Sequence, residues 1–256
     1  MNAGQMKNAG TAWVASRLLL SAIVMPADSR EERIDPAEID RFSNTGLGEP
    51  ETMRALAAAF CEMDHDDPAD RFLASIDEIL AKTLSATLPV PSIGVDTLKR
   101  AHGHFSSRNW SIVLNEDLIE GKSDSKEGLL DVLDTLAHEL RHAEQFYAAA
   151  KYEAGIHRIS FYDFLPEAIR KRAKHDKKID GSKETEFGEF ILDVHLNDEL
   201  REKKKYINTI IDNPETPSDD YKYYVNVVNT KLPLERDATA IGRALQGAME
   251  ACLQPR

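Results

Sequence analysis

The segment LLDVLDTLAHELRHAEQFYAAA, Leu129 to Ala150, decides how this chain is read. Leu129, Val132, Leu133, Leu136, Leu140, Ala143 and Tyr147 recur at spacings of three and four, which predicts a helix with one apolar stripe. His138 and His142 fall away from that stripe, one turn apart, with Asp134 and Gln145 on the same side. Two imidazoles at i and i+4 on one helical face can converge on a single metal ion, and Glu139 occupies the next radial position. The face opposite an apolar stripe is also ordinarily the solvent face, where polar residues need no ligand to account for them. The helix alone does not decide between these two readings. A catalytic zinc site takes three protein ligands and a water, and this helix supplies two.

The remainder of the chain must therefore hold the third. The position six residues beyond His142, where an extended three-histidine motif would have its last ligand, is Ala148. His157, and His195 in LDVHLND, read as ordinary surface or core histidines. The stronger candidate lies in LPLERDATAIGRAL, Leu232 to Leu245. There Pro233 opens a predicted helix that carries Glu235 and Asp237, and Ala238, Ala240 and Gly242 would let that helix approach another backbone closely. The competing reading of Glu235 is an exposed acid in a first helical turn, favoured there by the macrodipole.

Composition bounds the rest. The chain has 256 residues, 42% hydrophobic and 30% charged, which suits a soluble globular protein with a substantial core. A net charge of −12 argues against a nucleic-acid partner, since phosphate contacts need clustered Lys and Arg. Cys61 and Cys252 are the two cysteines, so neither a disulfide scaffold nor a four-cysteine zinc module is expected; whether the two pair is left open. TAWVASRLLLSAIVM, Thr11 to Met25, is the most apolar run, but it is short and interrupted by Arg17. It reads as a packing helix rather than a membrane span or a cleaved signal, and the chain as cytoplasmic when synthesised.

The expected fold class is α+β, mainly α-helical, with a small sheet of two to four strands beside the histidine helix. Helices are predicted at Thr11–Met25, Asp35–Phe42, Pro50–His65, Pro68–Thr87, Tyr162–Lys174, Lys183–Ile211 and about Leu234–Leu253. NWSIVLN, Asn109 to Asn115, is the clearest strand, with Trp110, Ile112 and Leu114 alternating with Ser111 and Val113. LPVPSIGVD, Leu88 to Asp96, breaks the helical pattern and ends in a short apolar run. Asp124 and Glu127 are spaced as a capping box for the histidine helix, and DNPETPSDD, Asp212 to Asp220, reads as a loop. The basic cluster AIRKRAKHDKK, Ala168 to Lys178, reads first as a solvated helix face and second as a docking patch for an acidic partner. Residues 1–90 carry no chemical motif and are expected to form a helical accessory region, with a boundary near Leu88–Pro91.

Two segments together resemble a known family. His138-Glu139-Leu140-Arg141-His142-Ala143-Glu144-Gln145 and, about ninety residues later, Pro233-Leu234-Glu235-Arg236-Asp237-Ala238 resemble the HExxHAxQ and PxExDA helices of gluzincin-type, zincin-like metallopeptidases of bacterial polymorphic toxins and effectors. The match runs roughly from Ser92 to Leu253, so the resemblance implies a zincin-like metallopeptidase domain over residues 91–256. It implies one Zn2+ per chain held by His138, His142 and Glu235, with Glu139 as the catalytic base. Asp237 would orient a ligand histidine by accepting its other N–H, and is the runner-up ligand. The resemblance fixes no oxyanion donor; Tyr223 and Tyr224 are the candidates, with His195 or His157 behind them, and each reads first as a structural residue. The strand Trp110-Ser111-Ile112-Val113-Leu114 would be the edge strand that holds an extended peptide beside the metal. The implied partners are a protein or peptide substrate and a secretion or immunity partner, with export or delivery achieved without a cleaved signal.

The chemistry those residues permit is hydrolysis of a peptide bond. Zinc lowers the pKa of bound water to about 7, and a carboxylate base can take that proton and pass it to the leaving amine. A different class of function stands beside it: a non-catalytic helical adaptor that keeps the scaffold without the chemistry. A hydrolase acting on a non-peptide amide is the third.

Overall fold

Ser, Asn and Pro punctuate the apolar periodicity and divide the chain into helices on either side of a small sheet. The computed structural model describes residues 35–64, 67–98, 101–121, 125–156, 162–177, 179–211, 222 and 232–252. The expected helix Thr11–Met25 and the expected loop Asp212–Asp220 lie outside the described residues, as do Asp124, His157, Tyr223 and Tyr224. In chain order, a 3-10 helix at Pro36–Phe42 is followed by α1 (Pro50–Cys61) and α2 (Ala69–Leu84). Then come β1 (Ser92–Asp96), β2 (Gly103–Ser106), β3 (Ser111–Asn115) and the short α3 (Glu116–Glu120). The helices α4 (Lys126–Gly155), α5 (Glu167–His175), α6 (Lys183–Leu196), α7 (Asp198–Ile211) and α8 (Pro233–Cys252) complete it. The protein is thus α+β, mainly helical, with a three-stranded sheet. No described helix is long and apolar enough to cross a membrane.

Helix α4, which carries His138 and His142, is 30 residues long and central. Its N-cap is Ser125, whose Oγ accepts the Gly128 N–H at 3.0 Å. The apolar stripe is buried as its spacing predicts, and so are Thr135, Glu139, Arg141, Gln145 and Glu153 outside that stripe. A helix of about 45 Å wrapped on several sides has no broad solvent face. On its polar side it meets α8, and it also packs against α6, α5, β2 and β3. Helix α1 lies on α8, and α2 connects α1 to β1.

Strand order is β1-β3-β2, with β1 parallel and β2 antiparallel to β3. Ile112 and Leu114 point into the core and are fully buried, in keeping with their alternation. The expected role of this strand as the substrate-holding edge does not survive the topology. β3 is the central strand, and its backbone groups are committed to β1 on one side and β2 on the other. Trp110 lies just outside it, in a turn with φ 53°, and its buried indole Nε1–H donates to the Pro89 carbonyl at 2.7 Å. The edge strand that lies against α4 is β2.

Two predicted helices are reshaped. The stretch Lys183–Ile211 breaks at Asn197, which is extended (φ −74°, ψ 108°) and whose Oδ1 accepts the Leu200 N–H at 3.0 Å. An asparagine side chain that competes for backbone donors ends one helix and caps the next. The 162–174 prediction keeps only Glu167–His175, which begins after Pro166. Three cations of the basic cluster are paired with acids: Lys171 with Glu167, Arg170 with Asp163 and Arg172 with Asp176. Cys61 carries no free thiol, and the Cys252 side chain lies outside the described residues.

Candidate metal centre

One turn of α4 and the first turn of α8 build the site. The two helices pass close enough that a Cβ on Gly242 would stand 2.8 Å from the Asp134 carbonyl oxygen and 2.5 Å from its Oδ1. Ala238 is fully buried at the same contact, whereas Ala240 faces solvent. The approach brings Glu235 over the histidines. His142 Nε2 lies 3.1 Å from His138 Nε2 and 3.2 Å from Glu235 Oε2, and His138 Nε2 lies 3.4 Å from the same oxygen. Side chains of His138, His142 and Glu235 are 21%, 13% and 13% exposed, so the group is sheltered without being sealed.

Those separations can be compared with a metal's demands. Tetrahedral zinc with bonds of about 2.0–2.1 Å holds its ligand atoms roughly 3.3 Å from one another. The three donor atoms therefore already stand at the spacing of three corners around one ion, and a fourth corner is left for a further ligand. His138, His142 and Glu235 are a possible metal-binding triad.

The surrounding hydrogen bonds fix which nitrogen faces inward. Gln145 Nε2 donates to the Leu234 carbonyl at 3.0 Å and to Asp237 Oδ2 at 2.8 Å. Its amide oxygen must then face His142 Nδ1, 2.9 Å away, and that nitrogen must carry the proton. In the neutral ring, His142 Nε2 then carries the lone pair and faces His138 and Glu235. A histidine oriented by a partner on its other nitrogen is how metal sites hold their ligands. Asp237 stands one residue further out than expected: it touches Gln145 rather than a ligand histidine.

Asp237 has a second task. Arg141, fully buried, donates from Nε and Nη2 to Asp237 at 2.6 and 3.1 Å, and from Nη1 to Glu144. It also donates to the carbonyls of Thr45 (2.8 Å) and Phe42 (3.1 Å), and its guanidinium lies over the Phe187 ring at 4.5 Å. Arg141, a variable position of HExxH, thus ties α4 to α8 and to the 42–47 segment. Glu144 accepts the Leu47 N–H at 3.0 Å beside Gly46, whose φ of +60° and lack of a Cβ admit that carboxylate.

Charge follows the geometry. Burial disfavours a charged Glu235, but His142 and Lys204 outweigh it and hold the carboxyl well below its ordinary range. Burial likewise disfavours a charged His142, and the Glu235 carboxylate overcomes it, so the imidazole titrates above its usual value in the metal-free protein. His195 is pushed down to about 3 by burial, with help from the Lys204 and His142 charges, and is neutral at pH 7. It packs on Phe146 with ring centroids 4.5 Å apart and is not one of the three donors.

Glu139 is buried, and its Oε2 accepts the Phe105 N–H of β2 at 2.8 Å. Gly103 permits this closeness, because a Cβ there would stand 2.6 Å from Thr135 Cγ2 and 3.2 Å from Glu139 Cγ. On the other side of Glu235 lies a cavity of about 210 Å³ walled by Phe146, Val194, His195, Leu200, Lys204 and Leu234 among others. Gln145 stood in the motif with no role assigned, and its position three residues beyond His142 was the available signal. Arg141 and Lys204 gave none, because neither belongs to a spacing pattern that implies chemistry. No family model, curated protein or solved structure matches the chain.

Proposed function

We propose that this protein is a zinc-dependent metalloendopeptidase. The observation that carries the reading is the convergence of His138 Nε2, His142 Nε2 and Glu235 Oε2 at 3.1–3.4 Å. Gln145 supports it by turning a lone pair of His142 into the same point. A zincin-like scaffold agrees with the order of the motifs and with the antiparallel edge strand beside the metal helix.

Zinc bound there would supply Lewis acidity, polarising a carbonyl and acidifying water. The chain's own residues would do the rest. Glu139, with Oε2 held by the Phe105 N–H, keeps its other oxygen to take a proton from the attacking water and return it to the leaving amine. Phe105 and Gly103 lie on β2, so a peptide extended along that edge would pass beside Glu139, a place that central β3 cannot provide. The cavity against Glu235, mostly apolar, would take a substrate side chain. Use as an effector, with a secretion or immunity partner, rests on the motif resemblance alone.

The test is cleavage of a peptide mixture by the zinc-loaded protein, read by mass spectrometry. Cleavage should stop on chelation. It should fall about 10²–10⁴-fold in Glu139→Gln, with zinc retained. A protein that holds zinc yet cuts no peptide, or a Glu139→Gln variant as active as wild type, would favour the adaptor reading instead.

A further inference from the structure

Lys204 stands where the triad meets the cavity, and its charge is not all that it brings to Glu235. The break at Asn197 turns the chain into α7 and brings Lys204 against the start of α8. Its Nζ donates to Glu235 Oε1 at 2.8 Å. Both histidine nitrogens gather instead on the other oxygen, Oε2, at 3.2 and 3.4 Å. The carboxylate is therefore divided, one oxygen to the ammonium and one to the imidazoles. The Lys204 side chain is 49% exposed and forms part of the cavity wall with Phe146, His195 and Leu200.

That division has a consequence for any ion held here. A carboxylate can ligate through one oxygen or both, and the second oxygen takes a position that a water or carbonyl would otherwise use. We propose that Lys204 is a positioning residue: by holding Oε1 it confines Glu235 to ligation through Oε2 and keeps a coordination position open on the cavity side. This rests on the zinc-site reading above. A positive charge next to the ion does not itself favour metal binding. Its value lies in the shape of the coordination sphere, so its loss should not weaken metal affinity.

The experiment compares wild type, Lys204→Met, Lys204→Gln and Lys204→Arg loaded with Co2+, whose visible absorption reports coordination number. Imidazole serves as a probe for a vacant position, because its neutral form has no direct charge–charge interaction with the lysine that is removed. Circular dichroism confirms folding. The Met and Gln variants should bind cobalt at least as tightly as wild type, show an altered cobalt spectrum, and bind imidazole about tenfold or more weakly. Arg should restore the wild-type spectrum. Met or Gln variants with wild-type spectra and imidazole affinity would overturn the proposal. So would loss of cobalt from folded variants, since Lys204 would then be holding the ion rather than shaping its surroundings. Wild-type protein that takes up no cobalt would remove the metal site itself, an outcome distinct from an occupied site indifferent to Lys204.

Discussion

At the scale of single residues, the candidate centre depends on side chains that are not ligands. Gln145 fixes the His142 tautomer, and Asp237 fixes Gln145. Gln145→Ala should therefore lower zinc affinity about 10–100-fold, measured by competition with a chromophoric chelator, while leaving the fold intact. An unchanged affinity would mean that His142 is oriented by packing alone. Arg141 makes a different prediction. Arg141→Met removes one partner of a buried cluster and leaves Asp237 and Glu144 uncompensated, which should cost about 3–5 kcal/mol in urea unfolding. A cost below about 1 kcal/mol would show that the two carboxylates find other partners or protonate. That His138, His142 and Glu235 could converge was legible in the sequence, because i,i+4 spacing and a proline-led helix start are local signals. Arg141 and Lys204 were not, because what they do is set by elements distant in sequence: Thr45, Phe42 and Asp237 for the first, Glu235 for the second.

At the scale of elements, the centre exists because α8 can lie close on α4. Gly242→Ala would place a methyl 2.8 Å from the Asp134 carbonyl. Such overpacking should cost about 1–3 kcal/mol and loosen the triad, read as a lower midpoint in urea and weaker zinc binding together. Unchanged stability would show that the helices can separate without harm. Small residues on α8 signalled that approach from the sequence, although Ala240 proved to face solvent. The strand was half legible. Alternation in SIVLN told which side faces the core, since side-chain direction follows a period of two. It could not tell which edge of the strand is free, because that depends on what pairs with it, and the short β1 and β2 take both sides of β3. The Asn197 break was missed for a related reason: apolar periodicity runs across LDVHLNDEL, and only the asparagine side chain marks the end of α6.

At the scale of the whole molecule, zinc and protons should compete for one point in the fold. His142 titrates above its ordinary value when folded without metal. Its contribution to metal-free stability is then fully present below the usual imidazole pKa of about 6.5, and is lost as pH rises through the raised value. Glu235, held low, contributes above the ordinary carboxylate range and loses that contribution only as pH falls through its lowered value. Zinc must displace the proton on His142, so its stabilising effect should grow from pH 6 to pH 8. At a free zinc concentration 100-fold above Kd, the gain is about 2.7 kcal/mol, or roughly 5–10 °C in Tm for a unit of this size. A Tm shift that is equal at both pH values would separate zinc binding from the histidines. The most direct measurement of the central claim is the metal content of the purified protein, by elemental analysis, in wild type and in Glu235→Ala. The account predicts about one zinc per wild-type chain and a clear reduction in the variant. No metal in the wild type, even after zinc is offered, would leave two histidines and a glutamate gathered around a shared proton and would contradict it.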